Sequence, residues 1–326
     1  MAFFDVFNGD ADGICSLHQL RLVAPRAATL VTGVKRDIEL VGRVAARTGD
    51  SVTVLDVSLD TNRAALVALL ANGVRVEYFD HHHAGVIPDD PLLTAVIDTS
   101  PSVCTGILVD RHLGGAARGW AVVAAFGDAL DGSACALAAS MGLDAEDVAS
   151  LRSLGEALAY NAYGDAESDL IVAPLALYRA LEGWTDPLRF AREAGVLAAI
   201  DASRRDDLAR AAALEPTRAL AGARVFVLPD AGWSRRIRGI LANRLAAEER
   251  ELAHAVLTPD AMDGFVVSLR APLARPEGAD RLCRTFATGG GRSGAAGINH
   301  LPRTELDAFT DRLGAAWPRP GEAAPA

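Results

Sequence analysis

The chain is short of several things, and each shortage removes a class of protein. Its four cysteines, Cys15, Cys104, Cys135 and Cys283, are scattered without a CxxC pair, which removes a disulfide framework and a structural zinc site. They read as small core residues. Asp, Arg or Gly interrupts every apolar run before it reaches spanning length, and no basic start with an apolar core and a cleavage site opens the chain. The expectation is a soluble chain with a cytoplasmic address and no membrane partner. Neither a GxGxxG nor a GxxxxGK(S/T) loop is present, so dinucleotide and P-loop readings lose support. Lysine occurs once, at Lys35, so the many arginines partly reflect a bias in composition.

Positive charge is also scarce, with 32 Lys+Arg against 42 Asp+Glu for a net charge of −10. A protein that grips long nucleic acid by its phosphates needs a broad basic surface, and this balance argues against one. The imbalance is uneven. Residues 1–199 carry 14 Lys+Arg against 26 Asp+Glu, and residues 200–326 carry 18 against 16. An acidic half that holds cations and a basic half that holds an anion would look like this, although most acids will be solvated helix faces. The length of 326 residues, half of them apolar, suits two domains with sizeable cores.

What is present is an alternation. Residues 2–7 read as a buried strand, 8–13 as a turn-rich loop and 14–23 as a helix stopped by Pro25. Strand candidates follow at 28–34, 51–55, 74–79 and 95–98, with helices at 37–48, 60–71, 103–113 and 116–130. This spacing predicts βαβ units and a parallel sheet flanked by helices, hence an α/β fold. Further helices fill 140–200, and a charged helix at 201–218 links to a smaller α/β domain over 219–316. That domain has strands at 224–228, 253–257 and 264–269, helices at 234–251, 277–286 and 303–316, and a glycine-rich loop at 289–297. Residues 317–326, rich in Pro, Gly and Ala, read as a disordered tail.

In open parallel sheets ligands bind beyond the carboxyl ends of the strands. Three strands here deliver acids or imidazoles to that edge: Asp10 and Asp12 after the first, Asp56 after the third, and Asp80, His81 and His82 after the next. Asp128, within a greasy segment, would ordinarily be a helix cap, but beside three acid-bearing loops it becomes a candidate ligand. Hard carboxylates with one or two imidazoles suit Mn²⁺ or Mg²⁺ better than zinc.

In this order, these motifs resemble the DHH phosphoesterase superfamily, and residues 266–270 with the 289–297 loop resemble its C-terminal DHHA1 domain. The resemblance implies domains at 1–200 (DHH, catalytic) and 219–316 (DHHA1, substrate-binding) and a divalent-metal-dependent phosphoesterase. It implies two Mn²⁺ ions, with Mg²⁺ as the substitute, bridged by Asp56, with Asp10 on one ion and Asp12, His81 and Asp128 on the other. His82 would face the substrate phosphate or protonate the leaving oxygen, and Asp80 would orient an imidazole. His83 reads as an extension of the loop. Substrate contacts are expected at Asn8, Arg270, Gly289, Gly290, Gly291 and Arg292, although Arg270 also reads as a surface residue at a strand end and the glycines as a tight turn.

The chain departs from the superfamily pattern in three places. Val6 stands where several subfamilies have a ligating histidine, Asn8 where some nucleases have another acid, and Arg292 where the glycine-rich loop usually has histidine. Arg292 still offers a planar donor fork to a phosphate but no titratable ring. With two domains, a cleft expected between them and an acidic balance, the expected partner is a short nucleotide rather than long nucleic acid. A linear dinucleotide such as pGpG, or nanoRNA cleaved to mononucleotides in oligoribonuclease fashion, fits best. Cyclic dinucleotides, phosphoadenosine phosphate and polyphosphate are the alternatives, as is a catalytically weak nucleotide-binding regulator. A homodimer is left open.

Overall fold

The computed structural model describes residues 1–318, which form two compact units, Met1–Ser203 and Arg204 onward. The first unit opens with β1 (Phe3–Phe7), α1 (Ala11–Val23), β2 (Thr29–Val31), β3 (Ser51–Leu55), α2 (Leu59–Ala71), β4 (Arg75–Asp80) and β5 (Leu93–Ile97). The strands form one sheet in the order β2-β1-β3-β4-β5, parallel throughout. The central strands carry apolar residues on both faces, with Val6, Phe7, Val54 and Leu55 all fully buried, as expected for a sheet covered on two sides. Leu66, Leu69 and Leu70 of α2 pack one face against Val52, Val54, Val76 and Tyr78. Chain direction across the sheet reverses at β1, whose neighbours are β2 and β3. The crevice beyond β1 and β3 is therefore the switch point where this topology binds ligands.

Helices α3 (Thr105–His112), α4 (Arg118–Gly127), α5 (Asp131–Ser140), α6 (Ala145–Asn161), α7 (Pro174–Leu181), α8 (Pro187–Glu193) and α9 (Gly195–Ala212) complete this part of the chain. The unit boundary falls within α9. That helix starts and stops six residues before the expected linker helix at 201–218, and Arg218 already belongs to a strand. Helix α4 is the greasiest of the set, with Trp120 to Ala125 fully buried.

The second unit contains β6 (Arg218–Ala219), β7 (Ala223–Val227), α10 (Gly232–Glu248), β8 (Ala253–Pro259), β9 (Gly264–Arg270), α11 (Ala279–Cys283), β10 (Gly289–Gly291), β11 (Ala295–Pro302) and α12 (Leu306–Ala316). Its sheet runs β10-β11-β9-β8-β7-β6. Only β7 and β8 pair in parallel; the other pairings are antiparallel. Its core joins Val225, Leu257, Phe265, Leu269, Ile298, Phe309 and Leu313. Among the described residues no helix is long and apolar enough to cross a membrane.

Several expectations are corrected. The helix expected over 37–48 is reduced to one short 3-10 turn, Val41–Arg43. The Asn62 side chain accepts a hydrogen bond from Val41 N (3.1 Å) and donates to Ile38 O (2.6 Å). Those groups would otherwise enter a helical ladder, so a tertiary partner overrides the local pattern. The helix expected over 277–286 is only Ala279–Cys283, because the chain must turn back for Gly289 to approach Cys283. A Cβ on Gly289 would lie 1.8 Å from the Cys283 carbonyl oxygen. The glycine-rich loop is thus a β-hairpin, β10 paired with β11. Trp317, expected in a tail, is 3% exposed in the second core; residues 319–326 lie outside the described residues.

Candidate metal centre

Three loops at the carboxyl edge of the first sheet build the site. After β1, Asn8 Oδ1 accepts from Asp10 N (3.2 Å). Asp10 Oδ1 in turn accepts from the amides of Asp12 (3.0 Å) and Gly13 (3.1 Å). Asp10 is therefore the N-cap of α1, the role for which a short side-chain oxygen is selected. This cap sets Asp12 in the first turn, where it is almost fully buried. The Asp12 carboxylate receives the first amides of α3, Thr105 N (2.8 Å) and Gly106 N (2.7 Å). A carboxylate facing a helix N-terminus meets both orphan donors and the positive end of the dipole.

Asp56 follows β3 with a left-handed backbone, φ 57°. Such a conformation costs on the order of 1 kcal/mol or more for a residue with a Cβ, and it persists only where the surroundings hold it. Its amide donates to Phe79 O (3.0 Å), and its carboxylate accepts from Thr105 Oγ1 (3.4 Å). Asp80 is the last residue of β4 and fully buried. One of its oxygens accepts from His81 N (2.9 Å), His82 N (3.2 Å) and His82 Nδ1 (2.7 Å). The acid that ends the strand thereby shapes the turn carrying both imidazoles.

His81 is the point on which the loops converge. Its Nδ1 lies 3.1 Å from Val103 O, and a carbonyl can only accept, so in the neutral ring that binds a metal Nδ1 carries the proton and Nε2 the lone pair. Nε2 lies 3.4 Å from Asp56, 3.8 Å from Asp128 and 3.9 Å from Asp12. Two overlapping groups have ligand atoms close enough to hold one ion: Asp12, His81 and Asp128, and Asp56, His81 and His82. Asp128 caps the C-terminal end of α4, so the greasy helix serves to deliver this acid.

The electrostatics ask for a cation. Burial pushes the Asp56 carboxyl well above its usual range, and Asp12, Asp10 and Asp80 push it further. Burial also raises Asp12, with His81 working against it. Asp128 is pushed up to about 6, by burial first and then by Asp12. Buried carboxylates that resist ionisation until positive charge arrives, together with one oriented imidazole lone pair, make a hard oxygen-rich donor set. It fits Mn²⁺ or Mg²⁺. His82 moves upward as well, chiefly through its hydrogen bond to Asp80.

Asp10 belongs to neither group, although its carboxyl is hydrogen-bonded to that of Asp56. Lys35 Nζ lies 2.6 Å from its second oxygen, Oδ2. Burial would raise this carboxyl, but Lys35 and the hydrogen bonds it receives hold it at about 2. Lys35 was visible in the sequence only as the lone lysine; Thr105 and the Val103 carbonyl, which orient ligands, gave no signal there. The remaining expected positions are on the second unit. Arg270 ends β9, and its Nε donates to Asn243 Oδ1 (2.6 Å). In the hairpin, the amides of Gly289 and Arg292 donate to the carbonyls of Phe286 (3.0 Å) and Ala295 (2.9 Å). Those two amides are already committed, while Gly291 and the Arg292 residue are exposed.

No protein-family profile and no curated protein matches the sequence. Solved structures do match its fold. Exonuclease RecJ bound to manganese is 19% identical, with a TM-score of 0.57, over 96% of this chain and 89% of that one. The DHH domain of a protein described as a member of a family of ribosomal proteins is 16% identical, with a TM-score of 0.65, over 96% and 86%. RecJ from Thermus thermophilus in complex with Mn²⁺ is 21% identical, with a TM-score of 0.58, over 96% and 51%, so this chain spans about half of its length. At such identities the likeness is one of fold.

Proposed function

We infer that this chain, which carries the DHH fold along nearly its whole length, is a divalent-metal-dependent phosphoesterase. Its proposed substrate is a linear dinucleotide or very short oligonucleotide, hydrolysed to mononucleotides. The observation that carries this reading is the convergence of Asp12, Asp56 and Asp128 around the single free nitrogen of His81, at the sheet's switch point.

In this reading Asp12, Asp56, Asp128 and His81 hold the ion. A divalent ion there supplies Lewis acidity toward a phosphoryl oxygen and makes water a better nucleophile near neutral pH. The protein's own groups do the rest. Val103 O and the α3 amides keep the ligand atoms aimed inward without needing to reorganise. Asp80 holds the proton on His82 Nδ1 and favours the charged imidazolium. His82 Nε2, on a half-exposed ring, is then suited to donate to a phosphoryl or leaving oxygen. On the second unit, Arg270 and Arg292 present guanidinium donors of the kind that bind phosphate. The net charge of −10 supports a short substrate, since a long one would meet a repulsive field.

The test is incubation with Mn²⁺ and a panel of pGpG, pApA, longer RNA, cyclic dinucleotides, phosphoadenosine phosphate and polyphosphate, alongside Asp56→Ala. Release of mononucleotides from the dinucleotides, lost in the variant, is expected. Undiminished turnover by Asp56→Ala would sink the metal mechanism, and equal rates on longer RNA would sink the short-substrate reading.

A further inference from the structure

The superfamily pattern leads to the expectation of two ions, with Asp10 serving one of them. The residues around Asp10 do not fit that second ion. Both of its oxygens are engaged, Oδ1 by the Asp12 and Gly13 amides and Oδ2 by the Lys35 ammonium at 2.6 Å. Asn8, two residues upstream, presents an amide where a further carboxylate would be needed. Its Oδ1 is held by Asp10 N and its Nδ2 reaches Lys35 O (3.4 Å). Val6 is fully buried in β1 and offers no ligand atom. Asp10 neighbours the Asp56 carboxyl but, among the described residues, belongs to neither group able to hold an ion. Those two groups share His81, whose only free nitrogen is Nε2, so one lone pair cannot serve two ions.

Lys35 is not a surface side chain that happens to swing inward. Its loop is seated against the Asp10 loop so closely that a Cβ on Gly9 would lie 2.1 Å from Gly33 O. Any side chain at position 9 would lift the lysine loop away. The backbone contact and the Asn8 bridge therefore place the ammonium by construction.

We propose that Lys35 is a built-in monovalent cation standing where the second divalent ion of a two-metal centre would be held, so that this chain works with one metal ion. This rests on the reading of the acid cluster as a metal centre. An ammonium and a divalent ion on the same carboxylate repel each other, and an ammonium cannot leave with falling metal concentration. Lys35 also brings N–H donors beyond the one directed at Asp10, a fixed positive charge for a phosphoryl oxygen beside the ion.

Stoichiometry decides, read without substrate. The metal-stripped full chain is titrated with Mn²⁺ by calorimetry, and the loaded protein is examined by electron paramagnetic resonance. One equivalent per chain, with the hyperfine pattern of an isolated Mn²⁺, is expected. In the Asn8→Asp/Lys35→Gln double variant, which restores an acid and removes the ammonium, the expected uptake doubles and the spectrum becomes that of an exchange-coupled pair. Two coupled ions in the unaltered chain would overturn the proposal, as would a folded double variant that still takes one. The unaltered chain decides the matter if the double variant does not fold. Binding of no ion at all would instead bring down the phosphoesterase reading, so the two failures are distinguishable.

Discussion

His18 sits two turns into α1, the helix whose first turn carries Asp12, and it is 2% exposed. Its Nε2 donates to Trp184 O (2.8 Å), which also accepts from Trp120 Nε1 (3.1 Å), and its ring lies nearly perpendicular to that of Trp120 with centroids 4.6 Å apart. Burial lowers its pKa to about 4 from an ordinary value of 6.5, against the opposing pull of the Trp184 carbonyl. The sign follows from proton linkage. Between these values the unfolded chain binds a proton that the folded chain refuses, so stability present above about pH 6.5 is lost as pH falls toward 4. The lowering corresponds to about 3 kcal/mol at full loss, and to about 2 kcal/mol by about pH 4.5. His18→Gln keeps a donor for Trp184 and removes the titration. Urea unfolding of both proteins in chelator, followed by tryptophan fluorescence, should show their stability difference moving in the variant's favour by about 2 kcal/mol between about pH 7 and about pH 4.5. Carboxylates common to both proteins cancel in that difference. A gap that stays constant within about 0.5 kcal/mol across the range would refute the claim that His18 is held neutral by burial.

Two further outcomes follow from buried groups. Asp80→Asn keeps an oxygen for the amides of His81 and His82 but removes the charge beside His82 Nδ1. Turnover at saturating Mn²⁺ should fall roughly 10–100-fold with little change in the circular dichroism melt, and unchanged turnover would remove His82 from the chemistry. Arg21 grips Asp5 with two bonds, at 2.6 and 2.7 Å, and Asp5 is fully buried. Arg21→Met should destabilise the first unit by about 3 kcal/mol in urea, at the low end for a broken buried pair because Arg26 stays 3.5 Å away. Adding Asp5→Asn should recover most of the loss.

The shape of the centre explains why an uneven charge balance is tolerable. The acids that look excessive in the first part of the sequence include a cluster with one lysine among its neighbours, and the missing positive charge is what the proposed ion would bring. Stability without the ion is therefore expected to be lower than with it, since ligand binding to the folded state adds to its stability by mass action.

Much of this was legible in the residues themselves. The strand–helix alternation forces a parallel sheet, and loops that follow its strands emerge at the carboxyl edge, so Asp12, Asp56 and His81 were expected to share one site; Asp128, which caps a helix, was a candidate only beside those loops. Local patterns failed where long-range partners intervened. The segment 37–48 has helical spacing, but Asn62 takes the backbone groups that a helix would need. The 289–297 glycines read as a loop, but Gly289 to Gly291 form a strand paired with β11, with Gly289 pressed against Cys283. Asp10 shows the limit most plainly. The superfamily resemblance implies that it is a ligand, yet an aspartate at a helix start can cap, coordinate or pair, and the sequence does not choose among these. Only the tertiary structure, by bringing a loop from beyond β2 close enough for Lys35 to reach Asp10, decides which of those bonds forms.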